Sequence, residues 1–364
     1  MISNVISLIN NFMYGKLLII LLLLGGIYFT FRTRFVQFRL MGRAFDSLME
    51  KPEDGDGNVS SFQALMVSTA SRVGTGNIVG VSTAICLGGF GCVFWMWVIA
   101  IIGGASAFIE STLAQIYKKR GLSGSYGGPA YYIEAALHNR PLALAFSAFL
   151  ILTYGFGFNM LASYNLQSTF SSYRFYDPAW SPWIIGLILA VIVGYCLLGG
   201  GRRILKVTSV MVPVMGILYI LVALAVIVLN VRFLPAVLQR IFSEAFNVQA
   251  IFSGFSGSCV MYGIKRGLFS NEAGVGSAPN ASASADVTHP VAQGLVQVLS
   301  VFIDTLLLCS ATAFMCMCSG IEPSEALSGA PYVQAALQQT FGAVGPVFIT
   351  LSMILFAFTT LLGN

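Results

Sequence analysis

Of 364 residues, 57% are hydrophobic and only 9% charged, with a formal net charge of +5. Soluble domains carry about 25% charged residues, so this composition excludes a soluble enzyme and points to a chain that crosses a membrane many times. The positive balance comes from short loop clusters and not from a basic face, so membrane lipid is an expected partner and nucleic acid is not.

The first apolar run, "LLIILLLLGGIYFTF" (17–31), lacks the basic n-region and the small-residue cleavage site of a signal peptide. It is followed by Arg32, Arg34, Arg39 and Arg43, which reads as an uncleaved span with its N-terminus outside. Further apolar segments fall near 61–86, 91–115, 141–168, 183–199, 207–230, 248–287, 291–318 and 344–363. Most are near the roughly 20 residues that a bilayer helix needs. This order puts twelve basic residues on the inner side, among them Lys118, Lys119, Arg120, Arg202 and Arg203, against Lys16, Arg174, Arg232 and Arg240 outside. The bias agrees with the positive-inside rule. Trp180 and Trp183 flank an outer loop as interfacial aromatics.

Two segments depart from the pattern. "SRVGTGNIVG" (71–80) and "GLFSNEAGVGSAPN" (267–280) are polar and glycine-rich in mid-span. They lie five spans apart and run in opposite directions. That is the sequence pointer to an inverted-repeat secondary transporter. Non-helical backbone at membrane depth is tolerated where protein or a cavity covers it. N–H groups near Thr75, Gly76 and Asn77, at the start of a second half-helix, suit a carboxylate. Carbonyls released at the end of the first half suit a sodium ion. The competing reading is that the glycines serve close helix packing.

Single polar residues keep two readings each. Asn77 is a cation-site or bracing residue, or a helix cap. Arg72 is a gate, or a structural or snorkelling cation. Glu272 belongs to the transport pathway, or pairs with Lys265, Arg266 or a backbone N–H. Glu110 and Asp304 read as structural. Phe269 walls the substrate or simply packs. Seven cysteines in apolar runs show neither zinc nor disulfide spacing. His138 and His289 fall in inner loops, "GGG" (199–201) lacks the strand a phosphate loop requires, and "DGDGN" (54–58) stops short of a calcium loop. No nucleophile–base or metal constellation of an enzyme is present in the sequence.

"RVGTGNIVGVSTAICLGGFGCVFWMW" (72–97), "FIESTLAQIYKKRG" (108–121), "GGPAYYIE" (127–134), "KRGLFSNEAGVGSAPNASA" (265–283) and "HPVAQGLVQVLSVFIDTLLLC" (289–309) resemble the alanine or glycine:cation symporter family. The resemblance runs from about residue 60 to the end. It implies a LeuT-type all-α fold with broken helices one and six, and sodium-coupled symport of a small amino acid across a bacterial or archaeal cytoplasmic membrane. It also implies a sodium site of Ala70 and Val73 carbonyls with the Thr359 and Thr360 hydroxyls. The implied substrate contacts are Thr75, Gly76, Asn77, Gln167, Phe269, Ser270 and Asn271. Two positions depart from the family pattern: Ala162 stands near the place of a glutamine, and Asn364 where a tryptophan is usual.

The expected organisation is an extra N-terminal span with its basic flank (1–45), an inner polar loop (46–60), a first five-helix repeat (61–230), an outer loop (231–247), and core helices six to eight of a second repeat (248–364). Counting gives that second repeat three of its five spans, and residues 1–364 alone are expected not to transport. The rival function is a non-transporting sensor or a channel-like protein on the same fold. Oligomeric state is left open.

Overall fold

The computed structural model describes residues 7–10, 12–50, 59–121, 124–247 and 259–364. "DGDGN" (54–58), most of the polar loop, and the first part of the 248–287 segment lie outside the described residues. The described chain is mostly helical, with one short hairpin, Lys119–Gly121 paired antiparallel with Gly124–Tyr126, and an isolated parallel bridge between Val59 and Ala285. Among the described residues six helices are long and apolar enough to cross a membrane: Ser7–Arg32, Cys92–Ile116, Arg140–Phe170, Gly200–Leu229, Pro290–Met317 and Val344–Gly363.

In chain order, α1 is Leu18–Arg32, α2 Val36–Arg39 and α3 Met41–Leu48. Then come α4 Ser61–Arg72, α5 Thr75–Gly88 and α6 Cys92–Ile116, followed by α7 Pro129–Leu137. The long helix α8 (Arg140–Phe170) contains a π-helical stretch, Thr153–Phe158. The helices α9 (Ser181–Leu197), α10 (Gly200–Leu229) and α11 (Leu234–Ala245) lead to α12 (Cys259–Asn271) and α13 (Ala278–Ser284). Last come α14 (Pro290–Met317), with a second π stretch at Phe302–Cys309, then α15 (Ala330–Phe341) and α16 (Val344–Gly363).

The start of α4 is written in sequence. Ser60 Oγ accepts the Gln63 N–H and Gln63 Oε1 accepts the Ser60 N–H, both at 3.1 Å. The segment expected near 61–86 is two helices, with Val73 and Gly74 in extended conformation between them. Described residues of the 248–287 segment likewise form α12, a turn at 272–277, and α13. Glu272 opens that turn at φ +50, a left-handed value rare outside glycine.

The inner helices are α4, α5, α6, α12, α14 and α16. Small residues set their spacing: a Cβ at Gly267 would meet Ile99 of α6 at 2.9 Å, so α12 and α6 touch backbone to side chain. In contrast, α8, α9 and α10 turn long apolar faces outward, including Leu144, Ile151, Leu187, Ile188, Val214 and Leu221. Faces of that extent suit lipid and not water.

Candidate functional site

At the α4–α5 junction the chain leaves helical geometry for two residues, and neighbouring side chains take up the freed backbone. The Val73 N–H still donates to Thr69 O (2.7 Å). The Gly74 N–H donates to Asn77 Oδ1 (3.1 Å), so Asn77 caps α5 from inside its first turn. The same side chain reaches across to α14, where Asn77 Nδ2 donates to Asp304 Oδ1 at 2.6 Å.

Asp304 is the hub of this region. It is fully buried and lies in the π stretch of α14. Its Oδ2 accepts Ser270 Oγ (2.5 Å) and Thr305 Oγ1 (3.0 Å). One carboxylate therefore ties the start of α5 to the end of α12. A buried charge needs such donors to be tolerated.

A small cavity of about 30 Å³ sits at this junction, lined by Ser71, Arg72, Gly74–Asn77, Phe158, Leu161, Ala162, Asn165, Arg266, Phe269, Ser270, Glu272 and Thr360. That is room for an ion or a water molecule. Larger spaces adjoin it: one of about 450 Å³ shares Phe158, Phe269 and Glu272 with it, and two more bear on the site. One, of about 400 Å³, is lined by Val67, Ser68, Ser71, Tyr154, Ser277, Asn280, Gly363 and others. The other, of about 270 Å³, is lined by Gly76, Gly80, Thr83, Asn165, Tyr262, Lys265, Arg266 and others.

An aromatic column stands beside the cavity. Arg266 lies over Phe269 (5.7 Å), Phe269 stacks on Phe158 (5.2 Å), and Phe158 stacks on Tyr154 (4.9 Å). Tyr154 then donates to Glu272 Oε2 (2.8 Å), which also accepts Ser277 Oγ (2.5 Å). Two cations border the cavity with open donors. Arg72, 4% exposed, gives Nη1 to Gln297 (3.3 Å) but leaves Nε and Nη2 without a partner. Arg266 is 6% exposed and its Nε is unpartnered.

Of the residues singled out in sequence, Thr75, Gly76, Asn77, Phe269, Ser270, Arg72, Glu272 and Thr360 line one cavity. Thr360 Oγ1 is buried without a partner and lies where a Cβ at Gly74 would go. Ala70 and Val73 are fully buried close by, with Gly363 of α16 against the Ala70–Ser71 peptide. An orphaned hydroxyl beside the last carbonyls of α4 is a donor set that fits a hard cation. Thr359 instead donates to its own helix, to Leu355 O at 3.0 Å.

Gln167 and Asn271 lie elsewhere. Gln167 Oε1 accepts the Tyr176 hydroxyl, and Asn271 Oδ1 accepts the Ala273 N–H (3.0 Å) beside Gly103 of α6. Asn165 occupies the cavity wall in place of Gln167, donating to Thr75 Oγ1 at 3.2 Å. Two residues along a helix is about 200° of rotation, so the two amides face opposite ways. Asn165, Asp304 and Arg266 were not singled out as site residues. For Asn165 the signal was available, since Ala162, Asn165 and Thr169 share one buried face.

The sodium:alanine symporter family matches this chain along residues 1–364. The chain is 43% identical over 364 residues to the probable sodium/glutamine symporter GlnT of Bacillus subtilis (strain 168), covering 100% of this chain and 75% of that protein. It is 41% identical over 362 residues to the amino-acid carrier protein AlsT of the same organism, covering 100% of this chain and 76% of that protein. It is 36% identical over 371 residues to the sodium/alanine symporter AgcS of Methanococcus maripaludis, covering 99% and 81%.

Proposed function

This chain belongs to the sodium:alanine symporter family, integral membrane transporters with Na⁺ as coupling ion, and from that premise we propose that it carries a small neutral amino acid, alanine or glycine, by alternating access on a LeuT-type inverted-repeat fold. In this reading α4–α5 and α12–α13 are the broken helices one and six. The positive-inside count places the Asn280–Tyr154 space on the cytoplasmic side and the Lys265–Tyr262 space outside.

The observation that carries the reading is the 30 Å³ cavity between two larger vestibules, walled by both interrupted segments. The substrate carboxylate faces the Thr75 and Gly76 N–H groups at the positive end of α5. Its ammonium faces Ser270 and the nearby carbonyls. Sodium is cargo held by the Thr360 hydroxyl with Ala70 and Val73 carbonyls, Thr359 adding a second hydroxyl oxygen. Because that ion joins α16 to the end of α4, its binding and closure of the substrate site favour one another. Phe158, Phe269 and Leu161 must shift for an amino acid to enter, since the closed cavity is smaller than any amino acid.

The test is uptake of radiolabelled alanine, glycine and glutamine into proteoliposomes made with the full-length protein. Alanine or glycine uptake is expected to collapse when external sodium is replaced by choline. Equal uptake in both salts overturns the proposal.

A further inference from the structure

A buried guanidinium is costly unless it is paired, yet the fold goes out of its way to house Arg266. Gly76 and Gly80 lie one turn apart on α5 and leave a slot for it. A Cβ at Gly76 would come within 3.3 Å of Nη1, and one at Gly80 would overlap Nη1 and Cζ. Each glycine inside a helix costs up to about 1 kcal/mol against alanine. The Phe269 ring supports the group from below. Among the described residues no carboxylate oxygen lies within 4 Å of it. Asp304, the nearby charge, has both oxygens engaged by Asn77, Ser270 and Thr305.

Arg266 also lines both the central cavity and the 270 Å³ vestibule. Among the described residues that line that vestibule none is acidic, whereas Lys265 and Arg266 are basic, so its field is positive. The vestibule is large enough for a small amino acid that the closed centre excludes. Nε of this guanidinium is without a partner, and a planar guanidinium can meet a carboxylate in two-pronged fashion through Nε and a neighbouring Nη.

We propose that Arg266, in its Gly76–Gly80 slot, is the carboxylate receptor of a separate outer docking site, which an amino acid occupies without sodium before passing to the central cavity. The inference rests on the transport reading for its orientation. The carboxylate then needs only to cross the face of α5 to reach the Thr75 and Gly76 N–H groups. The sodium requirement enters at that second step, where α4, α5 and α16 meet.

A cysteine at Thr83, on the vestibule wall, reports occupancy. Right-side-out vesicles carrying Thr83→Cys are treated with a membrane-impermeant methanethiosulfonate, with the parent protein as background. In choline chloride, alanine is expected to slow labelling severalfold and alaninamide to have no effect. Arg266→Gln is expected to abolish the protection and Arg266→Lys, a point charge without the planar fork, to keep only a minor part of it. Gly80→Ala is the companion variant: it pushes the end of a flexible side chain out of its slot while strengthening the helix, and should also lose protection. Protection that survives in both Arg266→Gln and Gly80→Ala, or that requires sodium, overturns the proposal. Sodium-driven uptake is read on the same vesicles, which carry the full-length protein. Protection without uptake refutes the transport reading and leaves the docking site standing; uptake without protection refutes the docking site.

Discussion

Asn77 shows how much one side chain carries here. Its oxygen takes the Gly74 N–H and its nitrogen meets Asp304, so it closes the gap in the α4–α5 backbone and fastens it to α14. Asn77→Ala leaves a buried donor and a buried carboxylate oxygen short of partners, at about 1–3 kcal/mol each. The expected result is a lower melting temperature in detergent together with loss of sodium-driven uptake. The two threonines separate by their partners. Thr359 is engaged with its own helix, while the Thr360 hydroxyl is buried and open toward Gly74. Thr360→Val is therefore expected to raise the sodium concentration for half-maximal uptake roughly tenfold, about 1.4 kcal/mol, and Thr359→Val to raise it less. A sodium titration of uptake with both variants decides; equal effects would show that the open hydroxyl is not the stronger ligand.

At the scale of elements, two of the three π-helical stretches among the described residues fall at the site. Tyr154 and Phe158 lie in the one on α8, and Asp304 in the one on α14. A π turn inserts a residue into the helical ladder and rotates everything beyond it, and such insertions recur at functional sites. Deleting Gly157 should restore plain α-helix in α8 and turn Asn165 away from Thr75 by about 100°. Uptake is expected to vanish in a variant that still runs monodisperse on size exclusion; unchanged uptake would mean that the π register is incidental. The aromatic column makes a second prediction for α8 and α12. Phe269→Ala removes the middle ring between Arg266 and Phe158, and should raise the ratio of glutamine to alanine uptake as the side-chain wall opens. A ratio equal to that of the parent protein would place the side chain of the substrate elsewhere.

For the whole molecule the governing fact is solvent. Apolar residues cover the outward faces of α8, α9 and α10, and polar residues collect along the central seam. This inverts the pattern of a soluble protein, because lipid leaves packing and polar satisfaction to hold helices together. Orientation follows from loop charge. A cysteine placed at Ser243, at the end of α11, should be labelled from outside intact cells, and one at Asn139, between α7 and α8, only after permeabilisation. The opposite pattern would exchange the two vestibules and with them the side on which Arg266 works.

Six of the expected spans, the excess of inner positive charge and the glycine-rich stretches where α4 and α12 stop were legible in sequence, because hydrophobic length and local backbone chemistry act over a few residues. So was the cluster Thr75–Asn77 with Phe269 and Ser270, since each stretch announces its own departure from a plain helix. Which side chains meet across the seam was decided only in three dimensions. Gln167 and Asn165 are equally polar in the sequence, and a helix rotation of about 200°, set after a π turn that no spacing reveals, turns Asn165 to the cavity and Gln167 to Tyr176. Asp304 read as one more buried acid until α14 brought it between Asn77 and Ser270. Gly80 was one glycine of the 71–80 stretch in sequence; in the fold Arg266, 186 positions away in the chain, lies in the space its missing side chain leaves. Contacts between residues so far apart depend on how the helices cross and how each is turned about its axis, and no local pattern of residues encodes either.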